Sequence, residues 1–112
     1  MYIGEASKKT GLSIKAIRFY EEIGLIRSIP RSGRYRVYSE SDIDLLVLIK
    51  EAKQLGVTLS QLKIVFVYKD GEVDWSRIKI FLAELKQQLL ANIQESERKI
   101  AMIDDCYKQI KP

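Results

Sequence analysis

A mainly α-helical chain, with one small β-hairpin and a long carboxyl-terminal helix, is predicted by three features of the 112-residue sequence. Helix-capping patterns recur at Ser13, Ser39 and Thr58. One stretch, Leu25 to Tyr38, loses the helical period and carries Pro30 and Gly33. From Asp74 to Ile110 there is neither Gly nor Pro, and apolar residues return every three or four positions.

Ile3 to Lys9 makes a short helix closed by Gly11, with Leu12 in the turn that follows. Ser13 caps a second helix, Ile14 to Ile23, whose stop is Gly24; two short helices about a Gly-containing turn form a helix-turn-helix. At about 100° per residue, Ala16, Ile17, Tyr20 and Ile23 fall on a packing side, and Lys15, Arg18 and Glu22 on the opposite one. Phe19 lies beside the Lys15/Arg18 face, where its ring either closes the edge of the core or meets a thymine methyl or a sugar.

Between Leu25 and Tyr38, alternation at period two predicts a hairpin with Pro30 on an edge, Gly33 in the turn, and Arg31, Arg34 and Arg36 near the tip. A basic ribbon bearing tyrosines beside a helix-turn-helix suits a wing that grips phosphates, because guanidinium forks bind phosphate bidentately and a tyrosine hydroxyl adds a donor. Ser39-Glu40-Ser41-Asp42 is a capping box and starts a third helix, apolar nearly all round from Ile43 to Ile49 and ended by Gly56. Thr58-Leu59-Ser60-Gln61 repeats the box for a fourth helix running through Leu62, Ile64, Val65, Phe66 and Val67, and Asp70-Gly71 then breaks the chain.

Along the last segment the apolar seam is Trp75, Ile78, Leu82, Leu85, Leu89 and Ile93, then Ile100, Ile103, Tyr107 and Ile110. The extra step of four between Leu89 and Ile93 resembles a coiled-coil stutter. A lone helix cannot leave such a seam in water, so pairing with a second copy is the economical solution. Expected dimer contacts are therefore Ile78, Leu82, Leu85, Leu89, Ile93, Ile100, Ile103 and Ile110. Residues 1–72 make the expected head and 73–112 the expected dimerisation helix.

Charge points to the partner. Residues 1–38 carry eight Lys and Arg against Glu5, Glu21 and Glu22, a net of +5, while the whole chain is only +4. The first third should therefore face a polyanion. Histidine is absent and Cys106 is the one cysteine, so no internal disulfide, no Cys/His zinc set and no imidazole-dependent nucleophile can form within these residues. No enzymatic activity, cofactor or metal is expected. No apolar run approaches the roughly 18 residues of a spanning helix and the first residues lack a leader pattern, so the expected address is the cytoplasm.

The stretch Ile3-Gly4-Glu5-Ala6-Ser7, then Gly11-Leu12-Ser13, then Ala16-Ile17-Arg18-Phe19-Tyr20-Glu21-Glu22-Ile23-Gly24-Leu25-Ile26, with Arg31, Tyr35-Arg36-Val37-Tyr38 and Asp42-Ile43, resembles the MerR family of bacterial transcription regulators. The resemblance implies a winged helix-turn-helix head, a homodimer held by an antiparallel coiled coil, and binding to double-stranded promoter DNA that the dimer bends and untwists for RNA polymerase. It implies DNA contacts at Ser13, Lys15, Arg18, Phe19, Tyr20, Arg31, Arg34, Tyr35 and Arg36. Helical phase favours packing for Tyr20, against the family's contact role, and Tyr38 is expected to pack under the hairpin. Gly33-Arg34 stands where many members have Asn-Gly, which shifts the turn.

Metal-sensing members place paired cysteines after the long helix; here Cys106 falls on the seam, where a small apolar packer is expected. Members with a lone reactive cysteine carry it in the third helix, where this sequence has Glu51. Drug-binding and iron–sulfur members need carboxyl-terminal extensions beyond the position of Pro112. Two other function classes fit parts of the pattern: an architectural DNA bender of the excisionase kind, which shares the winged head, and a coiled-coil protein-interaction module. The long helix disfavours the first and the basic head the second.

Overall fold

The computed structural model describes residues 1–112. Its elements run α1 (Ile3–Thr10), α2 (Ile14–Glu22), β1 (Arg31–Ser32), β2 (Tyr35–Arg36), α3 (Glu40–Gln54), α4 (Leu59–Val65), β3 (Tyr68–Lys69), β4 (Glu72–Val73) and α5 (Trp75–Gln109). Met1–Trp75 and Ser76–Pro112 form two compact units.

In the first unit the local chemistry sets each helix end. Gly11 closes α1 in the left-handed region, its N–H bonded to the Ser7 carbonyl. Ser13 Oγ accepts from the Ala16 N–H at 3.0 Å and starts α2. Both expected capping boxes are formed, Ser39 with Asp42 on α3 and Thr58 with Gln61 on α4. α1 packs against α2 and α3, and Ala6, Ile17, Leu25, Leu46 and Ile49 are fully enclosed in the core. α3 is less uniformly buried than its composition suggests: Val47 and Leu48 keep partial exposure.

The hairpin pairs Arg31 with Arg36 and Ser32 with Tyr35 in antiparallel register. Gly33, first of the two loop residues, has φ 64° and Arg34 keeps a negative φ, the pattern of a two-residue turn that demands glycine at its first position.

The fourth helix is shorter than its composition predicts. It ends at Val65, and Phe66 turns extended and drops into the core. The reason is a second antiparallel hairpin, Tyr68 opposite Val73 and Lys69 opposite Glu72, where the sequence suggests only a break. Its turn residues Asp70 and Gly71 both have positive φ, 54° and 79°, as the tightest hairpin turn requires. Val67 belongs to this ribbon, its carbonyl accepting from the Asp74 N–H at 2.7 Å.

In the second unit α5 runs unbroken for most of its 35 residues, about 1.5 Å of rise for each. Leu82, Leu89, Ile93, Ile100, Ile103 and Tyr107 are exposed along it, Leu85 is half-buried, and Ile110, just past its end, is exposed. Ile78 differs from them in being buried. Cys106 is exposed. No helix is long and apolar enough to cross a membrane.

Candidate nucleic-acid interface

α2 presents two chemically distinct sides, as a period of 3.6 requires. Ile17 and Tyr20 are buried, while Lys15, Arg18 and Phe19 are exposed. Phe19 keeps 45% of its surface in water. Tyr20, expected among the DNA contacts, is instead 4% exposed and packs with the core, following its helical phase. Ser13 is exposed, but its oxygen is engaged as the helix cap.

The recognition-type helix and the hairpin are tied together by Glu21, which composition registers only as charge. Glu21 accepts from the Ile29 N–H at 2.9 Å and from Arg36 Nε at 2.6 Å. It stands four positions after buried Ile17, hence on the inward face, and an acid there must find donors. That position was the legible signal. Arg36 is accordingly half-buried and already paired, so it is not the free phosphate ligand that composition suggests.

Arg31 and Arg34 are exposed, and neither takes part in an ion pair of the chain. The register sets Arg31 directly across from Arg36. Like charges at facing positions of a two-stranded ribbon repel each other. Glu21 neutralises one of the two from below, and an anion on the open side would satisfy the other. Tyr35 is 59% exposed, its ring against that of Tyr2 with centroids 5.4 Å apart.

Beneath the hairpin, Tyr38 is 1% exposed, and its buried hydroxyl has no hydrogen-bond partner. Burial pushes this phenol's pKa up, and the nearby Glu21 carboxylate adds to the rise, whereas the cations Arg36 and Arg18 oppose it.

A second pair braces the head. Arg27 grips Asp42 with two bonds, Nε to Oδ1 at 2.8 Å and Nη2 to Oδ2 at 2.7 Å, and Asp42 also accepts from the N–H and the hydroxyl of Ser39. Burial alone would raise the Asp42 carboxyl; the Arg27 and Ser39 donors outweigh it and hold the group below the usual carboxylate range. The Arg27 N–H donates to the Tyr68 hydroxyl at 3.1 Å, which joins the second hairpin to the segment after α2. Arg27 is thereby withdrawn from the cationic set. Lys15, Arg18, Arg31 and Arg34 remain as exposed cations of α2 and the first hairpin.

Comparison with known proteins agrees with this geometry. The sequence profile described as MerR HTH family regulatory protein matches residues 1–69. HTH-type transcriptional regulator HmrR of Sinorhizobium medicae (strain WSM419) is 40% identical over 113 residues, covering 99% of this chain and 72% of that relative. Heavy metal-dependent transcription regulator 2 of Rhizobium meliloti (strain 1021) is 38% identical with the same coverage. Among solved structures, MtaN, the N-terminus of the Bacillus subtilis multidrug transporter activator, matches in fold with a TM-score of 0.63 at 24% identity, over 96% of this chain and 97% of that one.

Proposed function

This chain belongs to the MerR family of DNA-binding transcription regulators, and from that premise we propose that it acts as a non-catalytic homodimer on a pseudo-palindromic promoter site. Two copies of α5 pair antiparallel, and each head sets α2 in a major groove and the first hairpin on the adjoining backbone. The dimer bends and untwists the duplex between promoter elements and so controls its use by RNA polymerase, within the cytoplasm.

The observation that carries this reading is the division of labour among the cations. Arg27 and Arg36 are consumed internally by Asp42 and Glu21, whereas Lys15, Arg18, Arg31 and Arg34 stay in solvent on the helix and ribbon that Glu21 joins. Bending a site costs on the order of 1–6 kcal/mol, and a dimer with two such sets of cations offers phosphate contacts to offset it. Exposed Leu82, Leu89, Ile93, Ile100 and Ile103 on α5 favour self-pairing over a monomeric architectural bender.

The name of the Rhizobium meliloti relative implies a heavy-metal effector. The donor set of these residues does not fit one. Cys106 is the one cysteine, histidine is absent, and no three His, Cys, Asp or Glu side chains gather where they could hold an ion.

Transcription in vitro tests the proposal. A duplex selected from a random library with the purified protein is placed between promoter elements at varied spacing. Spacing-dependent change in transcript level, together with anomalous gel mobility of circularly permuted fragments, is the expected result. Binding without any bend or any effect on polymerase would overturn it.

A further inference from the structure

The first hairpin is a minimal ribbon of two residues per strand, too small to order its own side chains. Tyr35, on its second strand, faces Ser32 in the register, so the cross-strand partner on its side is a residue with almost no surface to pack on. The ring is nonetheless held, and by a residue from elsewhere in the chain. Tyr2 lies 5.4 Å away, centroid to centroid, with the ring planes inclined at 39°. Both rings stay more than half exposed, 54% for Tyr2 and 59% for Tyr35, so the pair is a surface feature and not part of the core.

Tyr2 is itself fixed. The Met1 nitrogen donates to the Tyr38 carbonyl at 2.8 Å and the Tyr38 N–H donates to the Met1 carbonyl at 2.6 Å. The segment preceding α1 is thus laid against the end of the second strand, and the Tyr2 N-cap position contributes no side-chain bond to its own helix. Its side chain is spent on Tyr35.

We infer that Tyr2 is a positioning residue for DNA binding: its ring replaces the missing cross-strand neighbour of Tyr35 and holds the Tyr35 phenol against the sugar–phosphate backbone. This rests on the reading of the first hairpin as a backbone-gripping wing. A ring free to rotate must lose that freedom when DNA arrives, and a ring already braced does not. Coupling within an aromatic pair converts to about three- to tenfold in affinity for each head, and a dimer carries the pair twice. The effect resides in the ring and passes through Tyr35, so it carries no charge and leaves the salt dependence alone.

The test measures binding of a fluorescein-labelled duplex, selected from a random library with the wild-type protein, to wild type, Tyr2→Ala, Tyr2→Phe, Tyr35→Ala, Arg34→Ala and the double variant Tyr2→Ala/Tyr35→Ala. Expected results are a loss of roughly three- to tenfold per head for Tyr2→Ala, compounded over the two heads of the dimer, rescue by Tyr2→Phe, an unchanged salt slope, and no further loss when Tyr2→Ala is added to Tyr35→Ala. Urea midpoints for all variants check the fold, and Tyr2→Phe keeps the test decisive if Tyr2→Ala unfolds. A loss for Tyr35→Ala with none for Tyr2→Ala overturns the inference and leaves the wing intact. So does an equal loss from Tyr2→Ala in the Tyr35→Ala background, or failure of Tyr2→Phe to rescue. Unchanged affinity for both Tyr35→Ala and Arg34→Ala instead removes the wing reading itself.

Discussion

Replacing Arg34 by alanine should change how operator affinity responds to salt far more than replacing Arg36, although the two flank the same tyrosine. Arg34 is the second residue of the hairpin turn, is exposed and makes no ion pair in the chain. Arg36 is half-buried with its Nε 2.6 Å from Glu21. Removing one cation from a phosphate changes the slope of log affinity against log salt by about 0.9. A dimer carries every substitution twice, so Arg34→Ala should flatten the slope by about 1.8. Between about 50 and about 200 mM salt, the defect of the variant then shrinks roughly tenfold. Arg36→Ala removes a cation whose field Glu21 already cancels, so its slope should move by less than about 0.9. Its affinity still falls, because Glu21 loses one of the two donors through which it orients α2 relative to the ribbon. Fluorescence anisotropy over a salt series, on one selected duplex, measures both quantities. A full shift for Arg36→Ala with none for Arg34→Ala would refute the assignment of which guanidinium faces the backbone.

Asp42→Ala should destabilise the head by about 2–4 kcal/mol, below the usual cost of breaking a buried pair because Arg27 keeps some hydration, and including the lost capping box. Since the folded carboxyl is held below its unfolded value of about 3.9, this contribution is complete above that pH and is lost as pH falls through the folded value; urea titrations in which the gap to wild type does not narrow as pH falls below the unfolded value would contradict it. Tyr38→Phe deletes a buried hydroxyl that has no partner and should raise the urea midpoint, by about 1 kcal/mol in stability; a decrease of that size would mean the hydroxyl is bonded. Replacing Leu85 and Leu89 together by Lys should give monomers in sedimentation, and a surviving dimer would relocate the interface away from this part of α5.

Much of the fold was legible because local chemistry decides it. The capping boxes at Ser39 and Thr58 and the Gly-free run after Asp74 each fix a helix with little help from tertiary packing. For Tyr20, helical phase and the family expectation point in opposite directions, and phase prevails. The second hairpin is hidden although Asp70-Gly71 is a strong turn signal, because two-residue strands are too short to show alternation and Phe66-Val67 continue the apolar run of α4. At the interface, residue types identify the cations but not their occupancy. Whether an arginine is free depends on which carboxylate the fold brings to it across 15 positions of sequence, as with Arg27 and Asp42 or Arg36 and Glu21. Likewise the Tyr2–Tyr35 pair joins segments that share no local pattern.

The facing arginines of the first hairpin have a practical consequence. A ribbon this small that sets guanidinium against guanidinium is most ordered when a multivalent oxyanion sits on its open side. Sulfate or inorganic phosphate in the solvent should therefore tighten the turn around Gly33 and Arg34 before any nucleic acid is present, and also compete with it. Amide exchange of Arg34 and Tyr35 would slow on changing from chloride to sulfate at matched ionic strength. The medium chosen for crystallisation or spectroscopy thereby sets the starting state of this ribbon.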